Sequence, residues 1–321
     1  METTDVSPAI AVTHASRSFG AVRAVNDLTL TAEFGAVTAL VGPNGCGKST
    51  LMLMLAALLR PDSGRVLVGG MDPAEHPSSV KSLVGWMPDQ FGAWDSLRVR
   101  EVLEMIGGAY FLPREQIRER TEHLLDELDL RPLADQRAHV LSRGQKQRLG
   151  LARALVHEPR VLILDEPASG LDPAARRRLQ QVVRRRADAG AAVLISSHIL
   201  SELEEMSDAV VLMDEGTVIE QAHLSEIGTR SRTWRVRSLD VSALWHAFEA
   251  LGVRRARISP PEETTSGYAE ALLDLPDDAT AARLLRDLTA QDAQVIGFAP
   301  STGRLESVYL ATAAAHREGS R

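Results

Sequence analysis

The run GPNGCGKST, from Gly42 to Thr50, constrains this chain more than any other feature. The apolar stretch AVTALVG before it reads as a buried strand, and KSTLMLMLAALL after it reads as a helix. Gly42 to Ser49 fit G-x-x-x-x-G-K-[ST] in the strand–loop–helix setting that gives the pattern its meaning. Glycines, here Gly42, Gly45 and Gly47, let the backbone wrap closely around phosphate oxygens, and successive N–H groups at a helix start form an anion nest. Pro43, Asn44 and Cys46 complete the loop, with Cys46 reading as filler in a variable slot rather than a redox group. Lys48 adds a mobile positive charge for β- and γ-phosphates, Ser49 a hydroxyl for Mg²⁺, and Thr50 a further phosphate contact. Such a loop needs a strand to aim it and a helix dipole to face its ligand, which makes the fold α/β.

The rest of the chain agrees. AIAVTHAS, AVNDLTLTA, VLVGG and SLVGWMP read as strands, and RVLILDE, AAVLISS, DAVVLMDEG and GTVIEQ as a second set. Between the sets, residues 97–157 lose strand character and take helical periodicity, as in RVREVLEMIGGAY and REQIRERTEHLLDEL, so a helical insertion divides one sheet. The polar segment GTRSRT near Gly228 marks a boundary. Beyond it the elements follow the βαββαβ order of a ferredoxin-like unit and a closing helix, RLESVYLATAA.

Two further motifs carry chemistry. VLILDEP sets Asp165 and Glu166 at a strand end: the first suits Mg²⁺ and the second can deprotonate an attacking water. LSRGQ, from Leu141 to Gln145, opens the helix QKQRLGLARALV, whose first turn is a second anion site. A strand-end acid pair alone is a solvated turn as readily as a site; the phosphate loop upstream reverses that weighting.

Taken in order, the phosphate loop, LSRGQ, the Asp165–Glu166 pair, ASGLD and His198 resemble the nucleotide-binding subunit of an ABC transporter, over about Ala9 to Gln221. The resemblance implies a P-loop NTPase ABC cassette at residues 8–228, a mixed sheet core with a helical subdomain at about 97–157. A small α/β ferredoxin-like domain at 232–316 would follow. It implies ATP and Mg²⁺ as ligands, and two cassettes closing head to tail with each ATP between one phosphate loop and the other subunit's signature. Ser142, Arg143, Gly144 and Gln145 would then lie at the opposing γ-phosphate, Asp172 would couple the two sites, and His198 would contact the γ-phosphate and hold the water. Glu166, His198 and Lys48 form the implied catalytic set, Ser49 and Asp165 the implied metal set, and Phe19 falls where the family stacks an aromatic ring on adenine.

The chain departs from the family pattern twice. Arg143 replaces a glycine of the signature. In WMPDQFGAWDSL, Asp89 stands where the family has a glutamine and Gln90 comes one residue later, so either serves the metal and the water. Trp86 and Trp94 beside that segment read as core packing. LESVYLATA, from Leu305 to Ala313, resembles the closing motif of accessory domains on exporter-type subunits, which implies export.

Composition limits the partners. With 36 basic and 43 acidic residues the net charge is −7, the wrong sign for a nucleic-acid footprint, so the arginine-rich run 175–187 reads as a solvated helix face. A single cysteine excludes an internal disulfide. METTDVSPAI lacks the pattern of a secretory signal, and no run of about 18 apolar residues reads as a membrane span. The resemblance implies an integral membrane permease and a second ATP-binding subunit, a likeness of this chain, as partners, and the acidic balance argues against nucleic acid. The expected location is the cytoplasmic face of the cell membrane. The competing class is a soluble ABC ATPase acting on ribosomes or nucleic acid, whose members carry two cassettes or a long coiled coil; this chain has one cassette and no sustained heptads.

Overall fold

The computed structural model of the chain describes residues 7–89, 96–197, 199–227, 232–253, 256–264 and 266–301, and beyond them 303, 305, 308, 309 and 312. In order, the elements are β1 (Ile10–Phe19), β2 (Val22–Ala32), β3 (Val37–Val41), α1 (Lys48–Leu55), β4 (Ser63–Val68), α2 (Pro77–Leu83), β5 (Val84–Met87), α3 (Val99–Ala109), α4 (Arg114–Glu127) and α5 (Arg143–Leu155). There follow β6 (Val161–Leu164), α6 (Pro173–Asp188), β7 (Ala192–Ser196), α7 (Leu200–Met206), β8 (Ala209–Asp214), β9 (Thr217–His223) and α8 (Leu224–Ile227). The last are β10 (Arg232–Ser238), α9 (Val241–Ala250), β11 (Arg257–Ser259), β12 (Ala269–Leu275), α10 (Asp278–Ala290) and β13 (Val295–Pro300). Two compact units divide between Ala222 and His223.

In the N-terminal unit a six-stranded sheet runs β5-β6-β7-β3-β8-β9, and a three-stranded antiparallel sheet runs β2-β1-β4. Every residue of β3, β6 and β7 is buried, because a parallel sheet covered on both faces admits only near-continuous apolar strands. α1 buries Leu51, Met52, Met54 and Leu55 in a core shared with Ile10 and Leu28 of the small sheet and Leu40, Ile163 and Leu194 of the large one. Each such side chain stabilises by about 1.5–3 kcal/mol. That core holds the N-terminus of α1 against the end of β3.

α1 is shorter than KSTLMLMLAALL suggests. Ala57 turns left-handed (φ 56°), and the Leu58 amide reaches back five residues to the Leu53 carbonyl at 3.0 Å, a Schellman-type stop. Ser82 and Leu83, read from sequence as strand, end the short helix α2, and the strand proper begins at Val84.

α3, α4 and α5 do interrupt one sheet, since β5 and β6 pair in parallel from Val84–Val161 to Met87–Leu164. Within this insertion Tyr110 stacks on His157 at 3.7 Å, and the His157 Nε2 lies 3.1 Å from the Val84 carbonyl. Burial lowers the His157 pKa from 6.5 to about 4.

The arginine-rich run lies on α6, but it is not the bare solvated face that composition suggests. Arg185 and Arg186 both bind Glu127 of α4 at 3.0 and 2.6 Å, and the Glu127 side chain is only 8% exposed. Arg178 pairs with Asp129, Arg176 with Glu202, and Arg184 with Asp188 and Asp208. Apart from Asp188, four residues along the same helix, these carboxylates lie outside α6, so the run's own sequence carries no sign of them.

The C-terminal unit holds a four-stranded antiparallel sheet, β11-β12-β10-β13, with α9 and α10 packed on it through Leu244, Phe248, Leu284 and Leu288. Its chain order from β10 to β13 is βαββαβ. The boundary foreseen at Gly228 and most of the closing segment from Leu305 to Ala313 lie outside the described residues.

Candidate active site

Parallel strands deliver their C-terminal ends to one edge of the large sheet, and the phosphate loop, Asp89 and the acid pair follow them there. β3 leads into the phosphate loop, β5 into Asp89, β6 into Asp165 and Glu166, and β7 into Ser196 and Ser197. Asp89 is exposed at this edge; Gln90, Trp94 and His198 lie outside the described residues. Trp86 is half-buried against the core, as its default reading required.

Backbone crowding fixes two of the loop's three glycines. A Cβ on Gly47 (φ 102°) would stand 2.1 Å from the Ala24 carbonyl oxygen, and one on Gly42 would stand 2.4 Å from that of Met213. Gly47 is the N-cap of α1, and no side chain caps this helix. Its first amides therefore remain free for an anion. Lys48 Nζ donates to the Gly42 and Pro43 carbonyls at 2.7 and 3.0 Å, which holds the ammonium across the loop. Cys46 is buried, and burial pushes its thiol pKa up, in keeping with filler.

Ser49 Oγ donates to Asp165 Oδ2 at 2.8 Å, so the phosphate loop and the acid pair meet as the motif order implied. Asp165 is 6% exposed, and its other oxygen accepts from Ser196 Oγ at 2.6 Å. Ser196 in turn accepts from the Glu166 amide at 3.0 Å. Sequence reading missed Ser196; its one sign was a hydroxyl ending an otherwise apolar strand. Glu166 itself takes a left-handed conformation (φ 51°), a strained backbone of the kind that persists where the surroundings over-determine it. The Glu166 carbonyl accepts from the Gln147 side chain at 3.1 Å, and Gln147, on α5 and 4% exposed, is a second residue that sequence reading missed.

The donor set fits a hard cation that takes most of its ligands from phosphate and water: a hydroxyl (Ser49) beside a carboxylate (Asp165). Among the described residues no group of three or more His, Cys, Asp or Glu could hold a metal unaided.

The LSRGQ residues lie at the start of α5. Ser142 is its N-cap: Ser142 Oγ accepts from the Gln145 amide at 3.3 Å, while Gln145 Oε1 accepts from the Ser142 amide at 2.8 Å. Arg143 donates to Ser169 Oγ at 2.6 Å, and Gly144 lies against the Gly170 carbonyl. Asp172 caps α6 by accepting from the Ala174 and Ala175 amides, and those bonds, Ala175 foremost, hold its carboxyl below the usual carboxylate range. Phe19, at the end of β1, is 49% exposed with the Arg17 guanidinium 5.0 Å from its ring centre, so it does not pack into the core.

Fold and site together define a phosphate-loop nucleotide-binding protein with a helical insertion in its sheet. Residues 25–169 match the family model described as "ABC transporter". Over 198 residues, 62% of this chain, it is 43% identical to the probable multidrug ABC transporter ATP-binding protein YbhF of Escherichia coli, and spans 34% of that protein's length. It is 31% identical to the daunorubicin/doxorubicin resistance ATP-binding protein DrrA of Streptomyces peucetius, over 91% of this chain and 88% of DrrA. A solved ATP-binding subunit of an ABC transporter superposes with a TM-score of 0.65 at 25% identity, over 88% of this chain and 99% of the other. The chain belongs to the ATP-binding proteins of ABC transporters, a family of ATPases. Such proteins bind ATP or ADP, work with membrane permeases and dimerise. Among the described residues no helix is long and apolar enough to cross a membrane.

Proposed function

We propose that this chain hydrolyses ATP to drive export of a substrate through a separate integral membrane permease. It would act at the cytoplasmic membrane face as one half of a homodimer with two active sites. The observation that carries the reading is the hydrogen-bonded line Ser49–Asp165–Ser196–Glu166, which ties the phosphate loop to the acid pair. In this reading Lys48 and the backbone amides of the phosphate loop hold the phosphates, and Phe19 stacks on adenine. Mg²⁺ would be held by Ser49 and Asp165, with Asp89 or Gln90, and would supply neutralisation of the charge on the transferring phosphate. Glu166 takes the proton of the attacking water, and His198 orients that water. Ser142, Arg143, Gly144 and Gln145 face the partner's nucleotide, with Asp172 between the two sites. The names of YbhF and DrrA support drugs as cargo and export as direction.

Glu166→Gln tests the reading. The variant should bind ATP, accumulate as a dimer in light scattering, and lose about 100-fold or more of phosphate release, since a general base contributes on the order of 10²–10⁴. A monomer that turns over ATP normally without Glu166 would sink it.

A further inference from the structure

Arg143 does more than occupy a glycine's place in LSRGQ. Its Nη2 donates to Ser169 Oγ at 2.6 Å, across 26 residues of sequence. Its aliphatic stem lies over Gly170: a Cβ there would be 2.8 Å from Arg143 Cδ, and Gly170 has φ 75°. Beneath this contact the two backbones nearly touch, with 3.0 Å between the Gly170 oxygen and the position of a Cβ on Gly144. Ser169 is also tied to the acid pair, because its amide donates to the Glu166 carbonyl at 3.1 Å. That carbonyl accepts Gln147 of α5 as well. The turn from Glu166 to Asp172 is thus fastened to α5 at its start by Arg143 and one helical turn later by Gln147.

We propose that Arg143 is a positioning residue that clasps the Glu166–Asp172 turn to the first turn of α5. The base Glu166 and the N-terminal amides of α5 then keep one fixed spacing. This rests on the ATPase reading above, in which those two groups serve different nucleotides. A fixed spacing means that closure of α5 on one nucleotide sets the carboxylate facing the other. The arginine side chain suits the task because one guanidinium donor can hold Ser169 while the aliphatic stem covers a glycine that has no side chain of its own.

The test is steady-state phosphate release against ATP concentration for full-length wild type, Arg143→Lys, Arg143→Met, Ser169→Ala and the Arg143→Met/Ser169→Ala double variant. Loss of one charge-assisted hydrogen bond should lower kcat about tenfold in Arg143→Met and Ser169→Ala, with KM for ATP changed by less than about twofold. Arg143→Lys should restore most of kcat, and the double variant should be no worse than either single one. Additive losses, an equal deficit in Arg143→Lys and Arg143→Met, unchanged kcat, or a loss that follows a fall in Tm would each overturn the clasp. Should Arg143→Met not fold, Ser169→Ala alone decides between the expected loss and unchanged turnover. Glu166→Gln in the same series separates the two readings. Full turnover there defeats the ATPase assignment, whereas its loss beside normal turnover in Arg143→Met defeats the clasp alone.

Discussion

At the start of α1 the N-cap is Gly47, and no side chain bonds the first amides. In the C-terminal unit Asp240 accepts from the Ser242 and Ala243 amides at the start of α9, and Asp277 accepts from the Thr280 amide at the start of α10. All three helices leave the same kind of backbone donors unpaired at their first turn. Where the chain supplies its own carboxylate, the donors are spent on stability; where it supplies a glycine, they remain for an anion from solution. The start of α5 lies between these extremes, since Ser142 occupies one amide through its oxygen and keeps a hydroxyl proton to donate. An anion site here is a helix start from which the chain withholds its own anion, and a helix beside a sheet is not enough to make one.

Gly47→Ala puts the largest strain on that comparison. A side chain at φ 102°, 2.1 Å from the Ala24 oxygen, must displace the loop. Strain at such a position costs about 1–3 kcal/mol before any clash is counted. Binding of a fluorescent ATP analogue should weaken by at least about tenfold, equivalent to about 1.4 kcal/mol. Unchanged affinity would show that the amides of α1 are not the cradle.

Acid should separate the two units next. His157 has its pKa lowered to about 4, so between that value and 6.5 the unfolded chain binds a proton that the folded N-terminal unit refuses. Its contribution is complete above pH 6.5 and declines as the pH falls toward 4, by about 3 kcal/mol at most. In the C-terminal unit the Ser266 hydroxyl holds Glu270, and the Thr280 amide holds Asp277, below the usual carboxylate range. Their contributions persist until the pH passes below about 4. Thermal unfolding at pH 7 and pH 5 should show wild type losing stability and His157→Phe losing much less. An equal drop in both would remove His157 from the account.

The smallest effect is expected at Asp240. Asp240→Ala removes a cap and should cost about 1 kcal/mol in denaturant unfolding of the C-terminal unit. Nucleotide affinity should stay at the wild-type value, as befits a cap spent on stability. A change in ATP binding would mean that the contrast between the two kinds of helix start is drawn in the wrong place.

Sequence alone determined the phosphate loop, the strand-end acids, the opening of a helix at LSRGQ and the alternation of strands and helices. Each depends on residues a few positions apart, and local backbone geometry converts such spacing directly into structure. The end of α1 escaped it, because a left-handed Ala57 leaves no compositional sign. Only the tertiary structure decided that Ser196 would bridge Asp165 and the Glu166 amide, 31 and 30 residues away, or that Gln147 would hold the Glu166 carbonyl from 19 residues upstream. It also gave Arg185 and Arg186 a shared, nearly buried partner in Glu127, 58 and 59 residues away. A buried hydroxyl, amide or carboxylate must find a partner wherever the packing of strands and helices brings one, and that packing is set by the whole core rather than by the few residues on either side.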